Sequence, residues 1–526
     1  MRADPCTDHR RDNLTVWDGL RSVAERSPDQ DAIVIDDDRV SFAELHRRAL
    51  ALAAGLAADG LRSRDHVVVA LRDGVVWIEL FYALARLGAV MVPANPRWTP
   101  SELRYVVQRT RARAVVVHGD GAHLSLRDEA IPLAPTFYTD EPGFGVAHLA
   151  EVRSDDRPLP GEPPADALAL IQFTSGSTAE PKGVQLTGAS ICGVADAVAG
   201  RLEIDARDRV FGAVPLFHIG GTVLHLLLSH RIGATFVGIA QFNAAQALRV
   251  VERTRSTVIA AIDAHFLRMM ADSTFGTTDL SSVTKALATG TGAVLRRVER
   301  EFGVRAVALY GMSETSSNTA MASIRDSEVA RLDSCGYPSG GAQVAIRDPH
   351  TGVFLDPPAI GEICVRGPNV MVGYLDEPGL TAEVFHDDGW LRSGDLGSID
   401  GGMLHFRGRV KEIIRVGGEN VSLAEVESAV QSADVVVDVA IIAAEDAVLG
   451  QVPVAVVALQ PGIEPPQAIA ALRQTIQDLS RFKHPRHWAF IDELPYTGSG
   501  KPDRPALIQR WAADAFECVL PAIEPR

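Results

Sequence analysis

The chain of 526 residues is poor in cysteine, in positive charge and in long apolar runs, and each shortage removes a class of protein. Its five cysteines, Cys6, Cys192, Cys335, Cys364 and Cys518, are scattered with no C-x-x-C pair. Neither a disulfide framework nor a zinc site is therefore expected, and a reducing compartment fits. Lys and Arg number 51 against 67 Asp and Glu, a formal charge of −16. That balance lacks the cationic excess with which nucleic-acid and anionic-membrane binders neutralise phosphates, so neither partner is expected. The most apolar stretch, residues 75–93, is interrupted by Glu79 and Arg86, which a membrane span of about 20 apolar residues seldom carries. Residues 1–13 are charged and have no apolar segment of the secretory kind, so a cytoplasmic location is the default expectation. There is no internal repeat and no long low-complexity tract.

What is there is an ordinary globular composition, 46% apolar and 22% charged, over a length that predicts three or four structural units at roughly 150 residues each. From about residue 65, short β-branched runs alternate with longer amphipathic ones: 66–70, then 75–87, then 90–92 closed by Pro93. Runs at 167–173, 209–214, 257–262 and 304–309 also read as strands followed by polar or glycine-rich loops. This pattern predicts an α/β fold with parallel sheets, in which ligands bind at the loops leaving the carboxyl ends of strands. Residues 155–164 read as a surface connection, residues 340–373 as a β-rich subdomain with strands at 343–347 and 362–366. Beyond about residue 409 the pattern becomes compact α+β: helices at 422–431 and 467–479, strands at 435–443, 452–459 and 488–491, and a last helix from Arg504. Asp36 to Asp38 reads as a solvated turn, and the apolar stripe 223–228 as core.

Five loops carry candidate chemistry. After the apolar strand ending at Phe173 come Thr174, Ser175, Gly176, Ser177 and Thr178, then Pro181, Lys182 and Gly183. Hydroxyls, backbone N–H groups and a cation in one loop suit a polyphosphate, although the same residues also make ordinary surface turns. It is not a Walker A loop, because Lys182 is preceded by Pro181 and followed by Gly183. Tyr310, Gly311, Met312, Ser313, Glu314 and Thr315 follow the candidate strand 304–309, with Glu314 as a candidate Mg²⁺ ligand. Ser313 is not a hydrolase nucleophile, because the last glycine of G-x-S-x-G is missing. The third loop, 389–397, offers Asp395 to ribose hydroxyls. The fourth runs from Gly408 and Arg409 through Lys411 to Gly417 and Gly418, and the fifth is a glycine loop, Gly498 to Gly500, carrying Lys501.

Taken in this order, the five motifs resemble the adenylate-forming superfamily of acyl-CoA synthetases, peptide-synthetase adenylation domains and firefly luciferases. The resemblance runs from about Leu14 through Pro93-Ala94-Asn95-Pro96 to near Leu507. It implies a large N-terminal adenylation domain, 1–410, of several subdomains with mixed and parallel sheets, and a small mobile α+β domain, 411–526, that carries the adenylation lysine. Two half-reactions are implied: a small carboxylate and ATP give an acyl-adenylate and pyrophosphate, then a thiol takes the acyl group and AMP leaves. The acceptor is coenzyme A or, in the alternative of a free-standing adenylation enzyme, the phosphopantetheine of a carrier protein; the same activation applied to another oxyanion or acceptor in specialised metabolism is a further alternative.

The resemblance also implies roles. Thr174, Ser175, Gly176, Ser177, Thr178 and Lys182 would lie over the β- and γ-phosphates. Gly292, Ala293 and Tyr310 to Ser313 would hold adenine and the α-phosphate, with Glu314 on Mg²⁺. Asp395 and Arg409 would hold the ribose, and Lys501 would bridge carboxylate and α-phosphate. Lys411 would be the hinge, and Gly417 and Gly418 the wall of the pantetheine channel. His218, Gly221, Asp263, Gly290 and Gly292 would line the acid pocket, with His218 as its gate. His218 replaces the Asp that usually holds an α-amino group in peptide-synthetase domains, which argues against an ordinary amino-acid substrate. Asp263 stands where relatives often have proline; it either reads a polar substrate group or faces a helix N-terminus or water. The chain departs from the pattern at Ala179, Gly188, Ser313 and Ser393. Ala179 bears on loop geometry most, because a Cβ forbids conformations open to glycine.

Overall fold

The computed structural model describes residues 15–119, 126, 135–143, 147–154, 157–174, 181–289, 292–409, 413–416, 419–446, 448–477, 479–497 and 502–521. The strand His66–Ala70 shows how its body is layered. Val67 and Val69 join one apolar cluster, while Val68 and Ala70 join another on the opposite face. A strand that is apolar at successive positions is thus buried on both sides, as parallel sheets require.

Six strands of the first sheet run parallel in the order Leu168–Thr174, Val90–Pro93, His66–Ala70, Ala114–Val117, Thr136–Thr139 and Ala147–His148. Lys182–Thr187 and Gly373–Tyr374 extend it antiparallel at one edge. The second sheet has Arg305–Tyr310, Lys285–Thr289, Val258–Ile262, Arg209–Gly212, Thr235–Gly238 and Asp31–Ile35 as parallel neighbours, with short antiparallel strands at both edges. One cluster takes side chains from both sheets and from the helices Val16–Arg26, Phe42–Ala58, Val75–Leu87 and Gly188–Leu202, so these helices form a shared layer between the sheets. The outer face of the second sheet is covered by Ala244–Thr254, Asp263–Ala271 and Gly292–Phe302. Pro100–Arg109 covers that of the first.

The helices start where the sequence supplies a cap. Thr15 and Asp18 form a reciprocal capping box, as do Thr99 and Glu102, and Ser41, Thr187 and Asn243 each accept a first-turn N–H. The N-terminal unit Val16–Ala58, ahead of the α/β pattern read from residue 65, contains two helices and a hairpin that the sequence pattern did not reveal. Its turn includes Asp36 at φ +50°, and Asp36 and Asp37 there bond Gln246 and Arg253 rather than water alone. The apolar stripe 223–228 is core, as expected; most of it lies in a π-helical stretch, Gly220–Leu227.

A four-stranded antiparallel sheet, Gln343–Arg347, Gly361–Arg366, Leu391–Asp400 and Met403–Arg409, matches the β-rich expectation and packs Ile346, Ile363, Val365 and Leu404 against Tyr310 and Ala320. The C-terminal body has a core of its own. Its helices are Leu423–Gln431, Pro465–Thr475 and Arg504–Ala512, and a long antiparallel ribbon pairs Val436–Asp446 with Gly450–Leu459. The expected helix 467–479 starts two residues earlier, with proline in its first turn, and ends at Thr475. The hairpin Ile413–Val416/Glu419–Ser422 and the strand Cys518–Pro521 were not expected; the latter is held by pairing with His487–Phe490, a contact that local sequence does not signal. Among the described residues no helix is long and apolar enough to cross a membrane.

Candidate active site

The carboxyl ends of two parallel strands carry Thr174 and the Tyr310 loop, whereas the third stretch, read from the sequence as a loop at 389–397, lies mostly in the antiparallel strand Leu391–Asp400, because its backbone pairs with the strands on either side. Tyr310 closes the strand Arg305–Tyr310, and Gly311 follows because a Cβ there would stand 2.2 Å from the Ser317 carbonyl oxygen. A tight turn, Ser313–Thr315, then presents Glu314, and Ser316 and Ser317 adopt φ of +54° and +82°. Two successive non-glycine residues in the left-handed region are strained and need outside support. That support is present: Ser316 Oγ donates to the Asn369 carbonyl at 2.9 Å, Asn369 Nδ2 to the Asn318 carbonyl at 2.9 Å, and Met371 N to the Glu314 carbonyl at 2.8 Å.

Two enclosed carboxylates result. Asp395, 7% exposed, accepts from Tyr310 Oη at 2.8 Å and lies 3.3 Å from Arg409 Nε. Its backbone N–H donates to Ser393 Oγ at 3.0 Å, so serine in place of threonine keeps the hydroxyl in use. Burial, with the Asp395 charge next in order, holds the Tyr310 phenol well above its ordinary range, so it remains a donor. Glu314, 9% exposed, accepts from Tyr374 Oη at 2.9 Å, and the Tyr374 ring lies 5.2 Å from Lys182 Nζ. Lys182 in turn pairs with Thr174 across the hairpin that ends the first sheet. One tyrosine thus joins the foot of the candidate phosphate loop to the candidate metal ligand. Sequence reading passed over Tyr374; the signal was an aromatic residue after Gly373 in a β-rich stretch.

The acid side is assembled around Leu216. Its N–H donates to both oxygens of Asp73, at 3.0 and 3.1 Å, and its carbonyl accepts from Thr222 Oγ at 2.6 Å. Asp73 sits in the loop after the strand His66–Ala70, and enclosure of its carboxyl group pushes it up to about 8, against the opposing pull of the Leu216 N–H. This residue was also missed, although a carboxylate beside Gly74 after a parallel strand is the same signal that marked Glu314. The turn presents Phe217 and His218, whose rings lie 4.8 Å apart. Gly221 is explained by its own backbone: a Cβ would meet the Pro215 carbonyl oxygen at 2.1 Å. Asp263 is the first residue of the helix Asp263–Ala271, where a negative charge is favoured. His225, not singled out in the sequence, and His265, at the end of a segment the resemblance places along the acid pocket, are 3% and 8% exposed; burial pushes them down to about 3 and about 4, so both are neutral at pH 7. Gly292 and Ala293 open the helix Gly292–Phe302, with Gly292 packed on the Leu332 carbonyl.

Ser175, Gly176, Ser177, Thr178, Gly290, Lys411, Gly417, Gly418 and Lys501 lie outside the described residues. So does Ala179. Beside the third stretch, where the Gly394 N–H donates to Glu362 at 3.1 Å, ligating atoms of Glu362, Cys364 and His386 lie within 4.8 Å of one another. Arg392 Nε, 3.1 Å from Glu362, already supplies a cation there, and burial pushes the Cys364 thiol up to about 12.

An AMP-binding enzyme family model matches residues 20–375, and a model of the AMP-binding enzyme C-terminal domain matches 425–501. A feruloyl-CoA synthase of Amycolatopsis sp is 32% identical, with 94% of this chain and 98% of that protein covered. A sulfoacetate–CoA ligase of Cupriavidus necator is also 32% identical, over 92% of this chain and 96% of that protein. Among solved structures, ATP-bound MatB from Rhodopseudomonas palustris superposes with a TM-score of 0.84 at 26% identity, covering 96% of this chain and all of that one. The anthranilate CoA ligase AuaEII, in complex with anthranoyl-AMP, superposes with a TM-score of 0.88 at 22% identity over 96% and 98% of the two chains, and so shares the fold.

Proposed function

The chain belongs to the AMP-binding enzyme family, and from that premise we propose that it is an AMP-forming ligase joining a small carboxylic acid to coenzyme A. The observation that carries the reading is the pair of enclosed, tyrosine-bonded carboxylates: Glu314, just after the parallel strand Arg305–Tyr310, and Asp395, on the antiparallel strand Leu391–Asp400 and bonded to Tyr310. Asp395, beside Arg409, is suited to accept from ribose hydroxyls while Tyr310 keeps it in place. Glu314 offers carboxylate oxygen in a mostly buried setting, the donor type that a hard divalent ion prefers, and fits a Mg²⁺ ion shared with phosphate oxygens. Such an ion, when bound, withdraws charge from the phosphorus under attack.

In the first half-reaction a carboxylate oxygen of the acid bonds to the α-phosphorus as the bond to pyrophosphate breaks. Two anions approach each other, so fixed cations are required. Lys182, with Thr174 and Ser175 to Thr178, is assigned to the leaving phosphates, and Lys501 to the acid and α-phosphate. Gly292, Ala293 and Gly311 to Ser313 are assigned to the adenine side, and His218, Gly221, Asp263 and Gly290 to the acid side. In the second half-reaction the coenzyme A sulfur bonds to the acyl carbon and AMP leaves. For that step residues 411–526 turn about Lys411 relative to 1–410, and Gly417 and Gly418 line the pantetheine path. A cytoplasmic location accords with these substrates.

The test is a panel of aliphatic, aryl and amino acids assayed for acid-dependent pyrophosphate release. The best acid is then offered with coenzyme A and, separately, with carrier protein. A coenzyme A thioester is expected; loading of the carrier alone would reassign the acceptor.

A further inference from the structure

Arg268 lies on the helix Asp263–Ala271, which begins at the candidate acid site, and reaches across to the C-terminal body. Its Nη2 stands 2.9 Å from Glu493 Oε1, and its guanidinium carbon lies 4.8 Å from the centre of the Tyr496 ring. Tyr496 is itself anchored. Its hydroxyl donates to Asp438 on the strand Val436–Asp446, and its backbone pairs with Pro502. Tyr496 therefore stands at the foot of the segment that contains Lys501.

We propose that Arg268 is a positioning residue that holds the C-terminal body in its orientation for adenylation, acting through Tyr496 and Glu493. The inference rests on the ligase reading above. Arg268 is not among the residues assigned to nucleotide or acid; its contacts are with Glu493 and Tyr496, and through them it couples the helix of the acid site to the C-terminal body. The strength of the contact suits a body that must turn between half-reactions. The side chains of Arg268 and Glu493 are 43% and 74% exposed, and solvated ion pairs and exposed cation–π contacts are individually weak. A buried network such as Tyr310–Asp395 would resist release; this contact parts readily.

The full chain carrying Arg268→Glu, and the double variant Arg268→Glu/Glu493→Arg, test the proposal. Three quantities are read: acid-dependent pyrophosphate formation without coenzyme A, thioester formation from preformed acyl-adenylate, and amide hydrogen exchange of residues 263–271 and 492–497 without ligands. Arg268→Glu is expected to slow pyrophosphate formation about tenfold, about 1.4 kcal/mol, to leave the thioester step within about twofold, and to lose protection at 492–497. The double variant restores part of both losses. Equal slowing of the two half-reactions, an unchanged adenylation rate, or no restoration overturns it. Should the wild-type chain release no pyrophosphate with any acid, the ligase reading fails, and exchange alone decides the contact: unchanged protection in Arg268→Glu overturns it.

Discussion

The nucleotide side of the site and the junction with the C-terminal body are built from similar groups, tyrosines and carboxylates joined by an arginine, yet they differ in burial. Tyr310, Asp395, Glu314 and Tyr374 are each less than a tenth exposed, whereas Arg268 and Glu493 lie largely in water. Enclosed hydrogen bonds to a charged group are strong and costly to leave half-made; exposed ones contribute little. On the proposed reading, burial within one chain separates what stays in place through both half-reactions from what lets go between them.

The largest effect expected to sharpen this contrast is at Lys501. Lys501→Ala should lower acid-dependent pyrophosphate release by about 100-fold or more, the scale of losing a fixed charge at a reacting centre, while thioester formation from preformed adenylate changes little. Undiminished release would remove the lysine from its role. Next is Asp395→Ala, which leaves the buried Tyr310 hydroxyl without its acceptor. It should weaken ATP binding about tenfold in calorimetry and cost about 1–3 kcal/mol of stability in urea unfolding. A variant with full ATP affinity would break the comparison at its rigid end. Tyr374→Phe keeps the ring beneath Lys182 but removes the donor to Glu314. The Mg²⁺ concentration for half-maximal pyrophosphate release should rise several-fold with little change at saturation; an unaltered Mg²⁺ dependence would detach Tyr374 from the metal side.

The smallest effect lies in the pH response of the C-terminal body. Burial pushes the Asp438 carboxyl up to about 7, with Glu427 and Glu493 adding to the rise and the Val439 N–H and Arg268 opposing it. The folded chain then holds a proton that the unfolded chain releases near pH 4, so stability falls as pH rises from about 4 through about 7. Asp438→Asn should flatten that part of the urea-midpoint profile. An identical slope in the variant would show that Asp438 is not its source.

Much of this was legible in the sequence because the informative residues sit where local rules apply. The strands at 66–70 and 257–262 are read from β-branched runs, Glu314 from a carboxylate in a glycine-containing loop after a strand, and Asp395 from an acidic residue in a stretch read as a loop that proves to be the strand Leu391–Asp400. Tyr374 and Arg268 were not legible, since their meaning lies in partners 60 and 225 residues away. The strand Cys518–Pro521 was likewise invisible until its partner His487–Phe490 was in place. Glycines divide the same way: Gly311 marks a loop in sequence, but only the Ser317 carbonyl explains why no Cβ is tolerated there.

The central claim is most directly tested by incubating the wild-type chain with ATP, coenzyme A and an acid panel while measuring nucleotide and thioester products together. For at least one acid, AMP, pyrophosphate and acyl-coenzyme A are expected in equal amounts. ADP with phosphate in place of AMP, or an acyl-adenylate that accumulates without ever passing to coenzyme A, would contradict it.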